Sequence, residues 1–403
     1  MLRVILGITG GISAYKATSI IRLLTEAGHQ VKVVPTANAL RFIGATTLEA
    51  LSHNTVDPDL YTDVDSVKHV ELGQQTDLVI IAPATASFLA RSAAGLADDL
   101  LGNIVLATKA PIFVAPAMHT EMWQNPATQA NVELLRSRGV FVMEPDSGRL
   151  TGSDSGPGRL PEPEAIVASA LATHYARVSG QGVLLGKRVL VTAGGTQEPI
   201  DPVRFLGNRS SGKMGLAIAR AAQAQGAQVT LVGANLSSLP SGFTKVVSVQ
   251  SAQELAAVVH ENLASVDLLI MAAAVADFRV ENPSEQKIKR GETNGTLELR
   301  LVANPDILVS SVGRIRERGL RCFTVGFAAE TAGNQARLAG LAATKLESKG
   351  CDVMIANDVS DGAVFGSDDT AIFMLDKAGG SAHFTGSKIQ AGAEVVRFIS
   401  QRL

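Results

Sequence analysis

Short, continuously apolar runs recur along this chain. Each closes on a glycine- or proline-bearing turn, and most are followed by an alanine- and leucine-rich segment of helical period. A strand wet on one face alternates polar and apolar residues. A run that is apolar throughout must be covered on both faces, which crossover helices packed on a parallel sheet achieve. Residues 4–8 read as the first such strand, followed by a helix over 13–27 that Gly28 ends. Residues 30–35, 77–82, 111–115 and 140–143 read as further strands, and 165–176 as a closing helix. The pattern then restarts with a strand over 187–193, the turn Gly194-Gly195-Thr196, and a helix over 212–225 stopped by Gly226. Strands over 228–232, 267–271, 322–325 and 352–355 follow, with an added strand at 370–375 and a final helix over 387–402. The expected class is α/β, with two doubly wound units.

The chain has 403 residues, and at about 100–200 residues per domain two domains are the natural division. The expected boundaries are 1–178 and 187–403, with 179–186 as a linker containing Ser179-Gly180-Gln181-Gly182. A net charge of −2 argues against nucleic acid or an anionic membrane as partner. The two cysteines, Cys322 and Cys351, form no CxxC and no disulfide framework, which fits a cytoplasmic protein. Seven histidines are scattered singly, so a structural zinc site is not expected. No apolar stretch reaches the roughly 18 residues of a membrane span.

Three stretches in the first half carry chemistry. Gly7-Ile8-Thr9-Gly10-Gly11-Ile12-Ser13 closes a strand and opens a helix. Helix N-termini present unpaired N–H groups to anions, and glycine lets a ligand approach the backbone. The spacing is not G-x-G-x-x-G, so a mononucleotide phosphate fits better than a dinucleotide. A plain helix start capped by Ser13 accounts for it equally well. The turn over 82–87 places the hydroxyls of Thr85 and Ser87 at a strand end, where they either face a ligand crevice or simply cap a helix. His69 precedes the third strand; an imidazole suits proton transfer near neutral pH, although a lone histidine is more often structural.

In the second half, Gly207-Asn208-Arg209-Ser210-Ser211-Gly212-Lys213-Met214 nearly matches G-x-x-x-x-G-K-[ST]. Methionine replaces the Mg²⁺-binding hydroxyl, and the preceding strand ends well upstream, so a P-loop is rejected while an anion-binding helix start is retained. Asp277 is expected to end a strand running from Met271 into small residues. Lys287 and Lys289 lie in the polar stretch 282–295. Lys345 and Lys349 lie four apart on a helix and repel one another unless an anion lies between them.

The ordered segments GITGGISAYK, HVEL, APATASFLAR, PAMHTEMW and GPGRLPEP resemble the flavoprotein cysteine decarboxylases. The segments TAGGTQEPIDPVRFLGNRSSGKMG, AAAVADFR, KIKR, NPDIL, GFAAET and IANDV look like bacterial phosphopantothenate–cysteine ligases. Together they cover nearly the whole chain and resemble the bacterial bifunctional decarboxylase/ligase family of coenzyme A biosynthesis. The resemblance implies a flavodoxin-like FMN domain followed by a Rossmann-like ligase domain. It implies FMN binding by Gly10, Gly11, Ile12, Thr36, Thr85 and Ser87, His69 as catalytic base, and substrate recognition by Met118, His119 and Met122. For the ligase it implies CTP binding by Met271, Ala272, Ala273, Asp277, Lys287, Lys289, Pro305, Asp306, Ile307, Leu308, Phe327, Lys345 and Lys349. Lys287 would serve activation of 4'-phosphopantothenate to an acyl cytidylate, and Asn208 would hold that intermediate for attack by L-cysteine. Mg²⁺ would accompany the CTP phosphates, and homo-oligomers of ligase dimers and flavin-domain trimers are implied. The chain departs from the family pattern twice: His119 replaces an asparagine, and Gly152 replaces the cysteine expected to donate the last proton, leaving Asp154 and His119 as candidates. Two alternatives stand beside this reading. One is an active ligase with an impaired or regulatory flavin domain; the other is an NAD(P)-dependent oxidoreductase, against which the missing dinucleotide fingerprint argues.

Overall fold

The computed structural model describes residues 1–56, 68–149, 155–178, 182–237, 240, 242–289, 296–359 and 367–403. The chain divides into two compact units, Met1–Val178 and Ser179–Leu403.

In the first unit, β1 (Arg3–Ile8), β2 (Gln30–Pro35), β3 (Leu78–Ala84), β4 (Ile112–Pro116) and β5 (Phe141–Val142) form a parallel sheet of order β2-β1-β3-β4-β5. This is the flavodoxin-like order. The apolar runs are buried on both faces, as their composition requires: every residue of β3 is buried. On one face Ile5, Val34, Val79 and Ile81 pack with Phe88, Leu101, Ile104 and Leu135 from the helices Ala86–Ala94, Leu100–Ala107 and Pro126–Ser137. The helices Ala17–Glu26 and Pro163–Val178 pack against one another. The helix expected over 13–27 opens instead as a 3₁₀ turn, Ile12–Lys16, before the α-helix begins. A further antiparallel pair, β6 (Asp146–Arg149) and β7 (Ser155–Arg159), was not legible, because its sequence carries no apolar alternation.

In the second unit, an eight-stranded sheet runs β12-β11-β8-β13-β16-β17-β18-β19. Its members are β8 (Arg188–Gly194), β11 (Gln228–Ala234), β12 (Lys245–Val249), β13 (Leu268–Met271), β16 (Phe323–Glu330), β17 (Val353–Asp358), β18 (Asp369–Asp376) and β19 (Ser381–Ser387). The first six are parallel, and β18 and β19 join antiparallel. The direction of strand addition reverses between β8 and β13, the crevice where open α/β sheets bind ligands. Two short antiparallel pairs stand apart: β9 (Gln197–Pro199) with β10 (Phe205–Gly207), and β14 (Phe278–Val280) with β15 (Leu301–Ala303). Residues 182–186, expected as linker, are packed onto this unit: Leu184 is buried, and its N–H donates to the Gln225 carbonyl at 3.1 Å. Residues 179–181 lie outside the described residues. Among the described residues, no helix is long and apolar enough to cross a membrane.

Candidate active sites

The parallel order of the first unit carries the turns after β1, β2, β3 and β4 to one edge of the sheet. Thr9, which the sequence did not single out, ties two of them together. Its buried hydroxyl donates to the Pro83 carbonyl at 2.8 Å and accepts from the Thr85 N–H at 3.0 Å. At Gly10 a Cβ would lie 2.6 Å from Asn38 Cβ, so the β1 turn presses against the β2 turn. At Gly11 the nearest atom to such a Cβ is Thr85 Cγ2 at 3.9 Å, which leaves this peptide bare beside Thr85. Ile12 is exposed, and Thr36 is buried, with its hydroxyl accepting from the Ala39 N–H at 3.3 Å. Thr85 is the N-cap of Ala86–Ala94, and Ser87 is exposed. The capping role weighed for Thr85 is therefore observed, and it is filled from the turn that follows β3.

Met118, His119 and Met122 follow β4. His119 is exposed at the N-cap position of Thr120–Gln124, and its side chain makes no capping bond. Trp123 is buried, while Met122 is exposed. The β6–β7 hairpin lies against this segment: the Met118 N–H donates to the Gly158 carbonyl at 2.9 Å. Gly158 has φ +143°, and a Cβ there would fall 2.3 Å from the Met118 carbonyl oxygen, so only glycine permits the approach. Gly152 and Asp154 lie outside the described residues. His69 is half-buried on the helix Lys68–Gln75, which packs on Leu100–Ala107.

The second unit holds an open cavity of about 420 Å³. It gathers Asn208, Met271, Ala273, Asp277, Pro305, Asp306, Ile307, Leu308, Phe327, Lys345 and Lys349 from five separated segments. Ala272, Lys287 and Lys289 are not among its lining residues. The strand expected to run from 271 to 277 ends at Met271. Beyond it the chain is irregular and is held by two buried threonines of the β8 end: Thr192 Oγ1 accepts from the Ala273 N–H at 3.0 Å, and Thr196 Oγ1 from the Ala276 N–H at 2.9 Å. The loop before the helix Lys213–Ala224 follows β10, not the central strand β8, in agreement with rejection of a P-loop. Asn208 Nδ2 reaches over to the Val275 carbonyl at 2.9 Å.

The two helical lysines do share a face, and the negative charge their repulsion calls for comes from the chain itself. Each has its own carboxylate: Lys345 Nζ is 2.6 Å from Glu330 Oε1, and Lys349 pairs with Asp306. Asp306 also caps the helix Ile307–Glu317, its Oδ1 accepting from the Val309 N–H at 3.0 Å. Glu330, Thr192, Thr196 and Asn304 are site residues that the sequence reading missed. Burial pushes the Cys322 thiol up to about 12 and Cys351 up to about 11, so neither is poised as a nucleophile. Among the described residues, no group of three or more His, Cys, Asp or Glu is placed to hold a metal ion.

Residues 1–174 match the family model described as Flavoprotein, and residues 184–403 match that of the DNA/pantothenate metabolism flavoprotein C-terminal domain. The two models mark a flavoprotein fused to a pantothenate-metabolism domain. The coenzyme A biosynthesis bifunctional protein CoaBC of Mycobacterium tuberculosis is 49% identical over 400 residues, covering 98% of this chain and 94% of that protein. CoaBC of Vibrio cholerae is 42% identical over 405 residues, covering 100% of this chain and 98% of that protein. Among solved structures, the C-terminal domain of a CoaBC matches with TM-score 0.45 and 32% identity, covering 55% of this chain and 98% of that one. The FMN-dependent cysteine decarboxylase SpaF matches with TM-score 0.36 and 34% identity, covering 39% of this chain and 90% of that one. The chain belongs to the family of coenzyme A biosynthesis bifunctional proteins CoaBC. It is a bifunctional enzyme, with phosphopantothenoylcysteine decarboxylase and phosphopantothenate–cysteine ligase domains. The alternative of an NAD(P)-dependent oxidoreductase is thereby set aside.

Proposed function

We propose that the ligase unit activates 4'-phosphopantothenate with CTP and that the decarboxylase unit works with FMN. The observation that carries the ligase reading is the cavity itself. Asn208, Asp277, Lys345 and Lys349 come from distant parts of the sequence and line one space beside the switch point of the sheet. In the activation step the substrate carboxylate attacks the α-phosphate and pyrophosphate leaves. Lys345 and Lys349 lie on the cavity wall to balance phosphate charge, and Lys287 serves charge developing at the α-phosphate. Asn208 then holds the acyl cytidylate while the amine of L-cysteine attacks the acyl carbon and CMP departs. Mg²⁺ would enter this site as a companion of the triphosphate, whose hard oxygens suit it.

FMN fits the carboxyl edge of the first unit. The bare peptide at Gly11, the close-packed Gly10 and the hydroxyls of Thr36, Thr85 and Ser87 line the turns a phosphate-bearing ligand would meet, with Ile12 beside them. When bound, the flavin would take two electrons from the cysteinyl thiol moiety and give them back after CO₂ has left, so that the reaction is redox-neutral overall. His69 takes a proton from the substrate. Met118, His119 and Met122 recognise it, with His119 donating a hydrogen bond to its carboxylate. His119 or Asp154 returns the last proton. Assembly into ligase dimers, supported by the exposed Phe205, Phe278 and Leu301 on β10, β14 and β15, belongs to the same reading, as do flavin-domain trimers. A monomer by light scattering would contradict it. The two buried free thiols suit action in the cytoplasm.

One assay tests the whole: 4'-phosphopantothenate, L-cysteine and CTP are supplied, and 4'-phosphopantetheine, CMP and CO₂ are sought. AMP formation from ATP at equal efficiency would defeat the CTP assignment. The departures at His119 and Gly152 favour one second reading, an active ligase with an impaired or regulatory flavin unit. Accumulation of phosphopantothenoylcysteine without CO₂ would select it.

A further inference from the structure

Lys287 and Lys289 lie on an exposed stretch, 282–289, that forms neither helix nor strand. Its backbone is fastened to the loop joining β9 to β10. The Ser284 N–H donates to the Ile200 carbonyl at 2.9 Å. Ile288, flanked by the two lysines, is gripped on both sides of its residue. Its N–H donates to Asp201 Oδ2 at 3.2 Å, and its carbonyl accepts from Arg204 Nη2 at 3.0 Å.

Asp201 is 3% exposed, and a buried carboxylate is costly unless its oxygens are satisfied. Both are. Oδ1 accepts from the N–H groups of Val203 and Arg204, each at 2.8 Å, and the Arg204 guanidinium lies 3.4 Å from Oδ2. Burial acts to raise the pKa of this carboxyl. The N–H groups of Val203, Arg204 and Ile288, with the charge of Arg204, outweigh burial and hold it below the ordinary value. The two oxygens thus divide their work. Oδ1 closes the turn over 201–204, a task that asparagine performs equally well. Oδ2 reaches across to Ile288 and Arg204, a task that needs the second oxygen.

We propose that Asp201 is a positioning residue of the ligase reaction: through the Ile288 peptide and Arg204 it fixes the segment that presents Lys287 to the nucleotide. This rests on the reading of Lys287 given above. Asp201 itself touches no reacting atom. A lysine on an unfastened polar loop samples many positions, and electrostatic stabilisation of a transition state depends on charge that is already in place. In the Asn variant the Oδ1 contacts survive, while an amide N–H₂ faces the Ile288 N–H and the Arg204 guanidinium, donor against donors.

The test uses the full chain and four variants: Asp201→Asn, Ile288→Pro, Lys287→Gln and the double variant Asp201→Asn/Lys287→Gln. Ile288→Pro deletes the N–H from the exposed side and leaves Asp201 in place. The readouts are pyrophosphate release from CTP and 4'-phosphopantothenate without cysteine, thermal melting, and tryptic cleavage after Lys287 and Lys289. Asp201→Asn and Ile288→Pro are expected to lower kcat for pyrophosphate release roughly ten- to a hundredfold, the scale of losing a buried bond to a charged group. The KM for CTP should change little, and tryptic cleavage should quicken after both lysines in Asp201→Asn and after Lys289 in Ile288→Pro, where trypsin does not cut between Lys287 and the introduced proline. In the Lys287→Gln background Asp201→Asn should cost nothing further. An equal loss in both backgrounds would show that Asp201 merely supports the fold and would overturn the proposal. So would parental kcat in Asp201→Asn and Ile288→Pro while Lys287→Gln is impaired. If Asp201→Asn melts early, Ile288→Pro decides alone. A parental rate in Lys287→Gln would instead defeat the reading of Lys287, and this proposal with it.

Discussion

Replacing Lys345 should weaken nucleotide binding by leaving its carboxylate partner uncompensated. Its ammonium lies 2.6 Å from Glu330 Oε1; the lysine side chain is 42% exposed and the glutamate 15%. On the proposed reading the triphosphate lies beside this pair. Lys345→Gln removes a cation that attracts the phosphates and uncovers a largely buried carboxylate that repels them. With one phosphate charge taken at about 6 Å from Glu330 and an effective dielectric of about 20, the repulsion is roughly 2.8 kcal/mol. The exposure of the lysine admits water and salt, and halving the figure leaves about 1.4 kcal/mol, or roughly tenfold in affinity. In the parent an attraction of similar size from the Lys345 ammonium offsets this repulsion, so Lys345→Gln should weaken CTP binding roughly tenfold. The double variant Glu330→Gln/Lys345→Gln lacks the stranded carboxylate and should recover about tenfold over Lys345→Gln alone. Calorimetric titration of CTP into the full chain at low and high salt measures both, with the recovery shrinking as salt rises. A double variant that binds no better than Lys345→Gln, with all variants melting like the parent, would refute the reasoning.

His69→Asn should leave visible flavin absorption in place and stop CO₂ release; near-parental decarboxylation would remove His69 from the mechanism. Asn208→Ala should still release pyrophosphate and accumulate the acyl cytidylate, detectable by mass spectrometry, because only the later step loses its anchor. Alanine is the cleaner choice there, since an aspartate oxygen would face the Val275 carbonyl that Asn208 Nδ2 now contacts. Parallel loss of both half-reactions would make Asn208 a loop-shaping residue. Gly158→Ala should destabilise the chain by about 1–3 kcal/mol and raise the KM for phosphopantothenoylcysteine, because its Cβ would strike the Met118 carbonyl; an unchanged melting point and KM would contradict the packing argument. For Asp376, burial acts to raise the pKa, but Arg402 and the N–H groups of Gly380 and Ala378 outweigh burial and hold the carboxyl below its ordinary value. A depressed carboxyl contributes stability above its unfolded pKa of about 3.9 and loses it as pH falls through the folded value. Melting of the full chain should therefore drop below about pH 4, and less steeply in Asp376→Asn.

The sequence determined the class of fold and the position of most strands. An uninterrupted apolar run such as 78–81 can only be buried on both sides, and glycine after a helical segment stops it locally. It did not reveal β19, the β6–β7 hairpin or the β9–β10 pair, which are short or polar and exist because neighbouring strands and loops offer partners. The motifs marked Asn208, Asp277, Lys345 and Lys349, but nothing in their spacing places them on one cavity wall; the strand order of the sheet does that. Lys345 and Lys349 read as mutually repelling because helical spacing registers only neighbours on the same helix, whereas Glu330 and Asp306 reach them from elsewhere in the chain. Thr9, Thr192 and Thr196 looked like ordinary strand and turn residues, and became anchors only once another strand end stood within hydrogen-bonding reach. Asp201 is the sharpest case. One carboxylate oxygen serves its own turn, a local role a sequence can suggest, while the other holds a peptide 87 residues away, a contact that only the tertiary fold brings within reach.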